Sequence, residues 1–481
     1  MSATLHRASS AVAQDLISVR VQPREVRRNS VSVTAVDNIN GSFINRKNAE
    51  IGSKLSIAMN INEAPVHRTG NVYTAIGHVI TAVIGAGVLS LPYSMSMLGW
   101  VAGPMCLLLF AFITLYTSQL LAECYVIDGR RQRTYTDVVH TTFGDTGYVV
   151  LGVIQHSNLY LTALAYHITA TISLQTVATQ ICSAHAVQNC FDSYWKWAII
   201  FGAFQVVFVQ MPDLNYYWWA SLIGAAMSFS YSIIALGLSI SKRSTHGTAG
   251  GQDLAPADKA FGVLNAIGSI LFAYSFSMIL IEIQDTLKPN DTEGVVRPMK
   301  VAVNFSVGAM TLFYLAVAIA GYMAFGNSVP NNILTGFANP LWLVAMANVM
   351  VVIHLIPAYQ VYSQPFLSFV EFHYGKWKYA VLPGMPFRLF FRTAFVVSVA
   401  FLAICLPFFS DIIGFVGAIG FWPATVFFPI ECWIRVYKPE RAKLLWLRVL
   451  NVACLVVTVA ATIGSIQQIV VDSGDYKIFS S

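Results

Sequence analysis

Charge is what this sequence has least of. Only 11% of its 481 residues are Asp, Glu, Lys or Arg and 56% are hydrophobic, where an ordinary soluble domain carries about 25% charged residues. That excludes a soluble globular protein and points to an integral membrane protein. Long apolar runs are missing before Val72, so no signal peptide is expected and the first membrane helix must itself direct insertion. Seven cysteines are scattered without metal-ligand spacing, so no metal site is expected. Neither His-Glu-x-x-His nor Gly-x-Ser-x-Gly occurs, which argues against an enzyme. No filter-like signature or repeated ring of charge suggests a channel. The net charge of +6 falls mostly in cytosolic loops and the tail, and implies no acidic partner such as nucleic acid.

What is present is apolar and segmented. Residues 1–68 are polar, rich in Ser, Asn and Arg, and read as a disordered cytosolic N-terminal tail. Residues 69–481 read as a transmembrane domain in the lipid bilayer. Eleven segments long enough to span it lie near 70–98, 100–125, 147–182, 195–211, 215–241, 259–286, 299–325, 340–370, 387–407, 410–435 and 444–471. With the N-terminus cytosolic, fifteen Lys and Arg fall in inner loops and five in outer loops and the C-terminus. This bias places the N-terminus in the cytosol and the C-terminus outside. Cys182 and Cys190 share one short loop. They can form a disulfide if that loop is extracellular, though sequence alone does not fix the pairing.

The most informative stretch is Ile84-Gly85-Ala86-Gly87-Val88, followed by Pro92, inside the first span. Two glycines and a proline are poor choices for an unbroken helix. A break at membrane depth leaves backbone groups unpaired and is tolerated only where the backbone lines a cavity. The half-helix beginning near Val88 would present free N–H groups and a positive dipole end to a carboxylate. The alternative is that small residues merely allow close helix packing. In the sixth span, Phe272-Ala273-Tyr274-Ser275-Phe276 sits between two apolar stretches. Matching breaks in two five-helix halves would mark an inverted-repeat transporter, with carbonyls near Ala273–Ser275 free for an ammonium group. This second run holds neither glycine nor proline, so the sequence by itself does not mark it as a break.

Ionisable residues within spans are costly and often functional. His78 lies seven residues before Gly85, and Glu282 seven after Ser275, so each shares a helix face with its break. His78, Glu282 and His354 are candidates to carry a coupling proton, equally open to being neutral groups hydrogen-bonded between helices. For His156 and His167 the latter reading is preferred. Asp285, Glu123, Asp411 and Glu431 lie near span ends and are expected to face headgroups or loops.

Five stretches occur in order: Gly77–Leu91 (GHVITAVIGAGVLSL), Phe272–Lys288 (FAYSFSMILIEIQDTLK), Gly321–Phe337 (GYMAFGNSVPNNILTGF), His354–Gln364 (HLIPAYQVYSQ) and Gly417–Pro429 (GAIGFWPATVFFP). With these in view, the chain from Gly70 onward resembles the plant amino acid permeases of the amino acid/auxin permease family. The resemblance implies an all-α, ten-helix 5+5 inverted-repeat core like that of sodium-coupled leucine transporters, plus an eleventh transmembrane helix. It implies uptake of L-amino acids with protons at the plasma membrane, with no cofactor beyond the co-transported proton. It places substrate contacts at the two breaks, and the family's histidines fall on His78 and His354. Phe276 stands where the family commonly has tyrosine, and the extended tail and the loop 290–298 also depart from the pattern. An amino acid sensor that signals without appreciable flux, and an auxin-type importer, are the alternatives.

Overall fold

The computed structural model describes residues 68, 70–187, 189–211, 218–242, 252, 254–289, 294–375 and 384–478. Of the proposed tail, residues 1–68, all but Arg68 lie outside them. Apart from one short hairpin and an isolated bridge, the regular structure of the described residues is helical. Eight of the described helices are long and apolar enough to cross a membrane, and the chain is a multi-pass integral membrane protein.

Helix α1, Val72–Val83, starts where Asn71 and Thr74 cap each other, each side chain accepting from the other's backbone N–H. It stops at Ile84, whose backbone is extended. Helix α2, Gly87–Glu123, begins at the second glycine and bends at Gly99, where φ is +80°. This bend separates the first two expected segments, because only glycine takes that backbone conformation without strain. A hairpin follows, β1 (Val126–Ile127) and β2 (Arg130–Arg131), turned by Asp128-Gly129 with both φ values positive, as a tight two-residue turn requires.

Helix α3 (Tyr135–Ala184) is interrupted at Gly144. Cys182 and Cys190 are joined by a disulfide just before α4 (Tyr194–Val209). Then come α5 (Trp218–Ser241) and α6 (Pro256–Ala273). After α6 the chain unwinds, makes one 3-10 turn at Ser277–Ile279, and resumes as α7 (Leu280–Asp285). The remaining helices are α8 (Val296–Phe325), α9 (Leu341–Gly375), α10 (Met385–Cys405), α11 (Phe409–Gly420), α12 (Phe428–Tyr437) and α13 (Arg441–Asp475). A wide π turn at Phe421–Phe427 joins α11 to α12, and the Tyr135 hydroxyl donates to the Ala424 carbonyl within it.

Two of the four span-end carboxylates depart from expectation. Asp411 and Glu431 are 3% and 5% exposed, not turned to headgroups. Asp411 Oδ1 accepts from Asn265 Nδ2 at 2.7 Å, while Glu431 pairs with Arg448 and accepts from Asn451. Glu123 pairs with Lys300 and accepts from the Trp433 indole. Asp285 meets Arg68 at 2.8 Å and the Tyr125 hydroxyl at 2.6 Å. Neighbouring helices supply the donors to Asp411, Glu431 and Glu123, and connecting segments those to Asp285. A carboxylate with several fixed donors is tolerated out of water.

Candidate functional site

Between Ile84 and Leu89 the helical ladder thins to a few bonds. Ile84 N–H donates to Ile80, Val88 N–H to Gly85 at 3.4 Å, and Leu89 N–H to Ala86 at 3.1 Å. The N–H groups of Gly85, Ala86 and Gly87 meet no backbone carbonyl among the described residues. A helix start of this kind is an anion site waiting for an acceptor.

The second break lies against the first. A Cβ placed on Gly87 would sit 3.2 Å from Phe272 Cδ1 and 3.5 Å from Ala273 Cα. Here the chain leaves the helix without glycine or proline because side chains take over the backbone groups. Ser275 Oγ donates to the Leu271 carbonyl at 2.8 Å. The Tyr314 hydroxyl, from α8, lies 3.3 Å from the Ala273 carbonyl and 3.0 Å from the Val83 carbonyl. The carbonyls near Ala273 are therefore partly engaged. Each keeps a second lone pair for another donor.

A cavity of about 1470 Å³ adjoins both breaks, larger than the ~300–1,000 Å³ of ordinary ligand pockets. Gly85, Ala86, Gly87, Phe272 and Ser275 line it, whereas Ile84, Val88, Ala273 and Tyr274 are buried behind its wall. From the breaks it runs to Thr134, Thr136 and His373, at the end of the bundle that carries the hairpin. Residues near the opposite end, around Ala184 and Pro256, take no part in the lining. Among the described residues that line the cavity there is no lysine and no arginine. A bound carboxylate would have main-chain N–H groups, hydroxyls, histidines and the side-chain amides of Gln155 and Asn158 to meet it.

His78, Glu282 and His354 all reach this cavity. His354 is the best placed of the three. Its Nδ1 lies 2.8 Å from the Gly224 carbonyl, which can only accept, so that nitrogen carries the hydrogen. Nε2 is then an acceptor. It is buried without a partner among the described residues and lies 3.6 Å from where a Gly85 Cβ would be. Glu282 Oε1 accepts from the first N–H of α3, at Tyr135, at 3.1 Å, and its Oε2 has no partner among the described residues. His78 lies on the exposed face of α1, two turns or ~10 Å from Gly85. His167 bonds the Ala198 carbonyl across to α4, and His156 bonds the Gly152 carbonyl of its own helix.

Several lining residues escaped the sequence reading. Asn158, Thr162 and Tyr166 recur every four residues on α3 and face the cavity. A polar stripe at helical spacing in an apolar span would have pointed to them. Tyr166 packs edge-on against Tyr362 of α9 and places its hydroxyl 3.4 Å from the Gly85 Cβ position.

A family model described as "Transmembrane amino acid transporter protein" matches residues 68–471. Amino acid permease 2 of Arabidopsis thaliana is 38% identical over 455 residues, spanning 87% of this chain and 92% of that protein. Amino acid permease 3 of the same plant is 40% identical over 447 residues, 86% of this chain and 94% of that protein. Amino acid permease 6 is 40% identical over 453 residues, with 86% and 93% covered.

Proposed function

The chain belongs to the transmembrane amino acid transporter family, a family of transporters and not enzymes, and on that premise we propose that it takes up L-amino acids together with protons by alternating access. The observation that carries this reading is that the N–H groups of Gly85–Gly87, which meet no backbone carbonyl among the described residues, face a cavity whose described lining holds no lysine or arginine. The substrate carboxylate docks on those amides, at the positive end of the α2 dipole. Its ammonium lies toward the carbonyls of the Phe272–Ser275 unwound segment, at the negative end of α6. His354 Nε2, beside Gly85, takes the coupling proton, with Glu282 and His78 on the path to the hairpin end.

The matching fold is two inverted five-span halves, α1–α5 and α6–α12, broken at 84–86 and 274–276, with α13 as the eleventh span. In a plasma-membrane topology with a cytosolic N-terminus, the hairpin and its Arg130 and Arg131 are cytosolic. The cavity then opens inward, the substrate-releasing half of the cycle. The test is uptake of labelled L-amino acids into transport-deficient cells at about pH 5.5 and about pH 7.5. Faster uptake in acid supports the reading, and uptake indifferent to pH removes the proton from it.

A further inference from the structure

The Tyr314 hydroxyl occupies an unusual position. Val83 and Ala273 are the last residues of α1 and α6, so both carbonyls end a half-helix and carry the negative end of its dipole. Transporters built on broken helices gather such carbonyls around a coupling metal cation. Here one phenolic oxygen, on a fully buried residue, lies 3.0 Å from one carbonyl and 3.3 Å from the other. A tyrosine has a single hydrogen to donate, so the two acceptors share it. The ring is fixed by an edge-on contact with Tyr274, whose own hydroxyl is spent on Thr311.

We propose that the Tyr314 hydroxyl is a built-in substitute for a coupling cation, tying the ends of the two broken helices together so that the substrate site is complete without a metal ion. The inference rests on the transport reading above and adds a positioning residue to it. Tyr314 does not line the cavity and acts through Val83 and Ala273. A shared partial positive charge on the phenol hydrogen does for the two dipole ends what an ion would do. Because it is covalently fixed, it is present in every turn of the cycle and draws no energy from an ion gradient.

The experiment measures amino acid uptake with NaCl or choline chloride outside, normalised to surface protein, for the native chain, Tyr314→Phe and Tyr314→Ser. The native chain should behave alike in both media. Tyr314→Phe keeps the ring and removes only the tie, and its KM in choline should rise about tenfold, as expected when buried acceptors lose their donor. Tyr314→Ser leaves room for a hydrated ion, and its uptake should gain a response to Na+ or Li+. Should a variant fail to reach the surface, the same comparison is made on purified protein by amino-acid-induced thermal protection. A Tyr314→Phe KM within about twofold of native, a Tyr314→Ser protein blind to small cations, or a native chain that needs Na+ overturns the proposal. A native chain with no amino acid uptake in either medium would instead sink the transport reading.

Discussion

Gly87 and Phe272 touch where the two helix breaks cross, with only 3.2 Å between the Phe272 ring and the place a Gly87 Cβ would take. The contact brings the positive start of α2 beside the negative end of α6, so one small zwitterion can bridge both. Glycine is needed here for close approach, not for an unusual backbone angle, since φ at Gly87 is not among the positive values.

Bulk at this crossing should be fatal to transport. Gly87→Ala requires Phe272 to yield by a few tenths of an ångström and should slow uptake, while Gly87→Leu should reduce it by at least about tenfold through overpacking. Surface labelling alongside uptake checks the prediction, because both proteins should still be delivered.

His354 offers a cleaner separation of structure from coupling. In His354→Asn the side-chain amide can still donate to the Gly224 carbonyl in place of Nδ1, but nothing replaces Nε2. Uptake should persist and lose its stimulation by acid, read as the ratio of rates at about pH 5.5 and about pH 7.5. An unchanged ratio would move the proton to Glu282 or His78.

How much of this could be read in advance depended on whether a residue acts through its own backbone. Gly85, Gly87 and Pro92 announce a break by covalent geometry, and the chain unwinds at Ile84–Ala86 as they require. The break after Ala273 carries no such mark. It exists because Ser275 and Tyr314 satisfy the freed carbonyls, and Tyr314 lies 41 residues away in sequence. Asp411 differs from expectation for the same reason: its place near a span end is visible in the sequence, but its donor, Asn265 on α6, is not. Periodicity reports one helix at a time, and partners between helices remain hidden from it.

Asp411 holds a buried network together and should show it in stability. Asp411→Ala leaves the amide of Asn265, 1% exposed, without its acceptor, and should cost about 1–3 kcal/mol. Asp411→Asn, which retains an acceptor oxygen, should cost less. Thermal melts of purified protein distinguish the two, and equal losses would count against the network.

At the hairpin end, Asp285 ties the approach to α1 onto the end of α7. It accepts from Arg68 and Tyr125, while Gly70 N–H bonds the Thr286 carbonyl and Lys288 N–H bonds the Gly70 carbonyl. Burial and the Asp285 carboxylate push the Tyr125 hydroxyl above its ordinary range, so it stays a neutral donor. Asp285→Ala should destabilise the protein by about 1–3 kcal/mol, and Tyr125→Phe by about 1 kcal/mol. The order of the two melting temperatures is the readout.

The central claim is that main-chain N–H groups at Gly85–Gly87 hold the substrate's carboxylate. Competition against one labelled amino acid, by the free amino acid and by its carboxamide, tests it most directly. Replacing the carboxylate with a neutral amide should abolish competition, with a loss of at least about a hundredfold, since charge-assisted bonds to a desolvated helix start are lost. A carboxamide that competes as well as the parent would contradict the account.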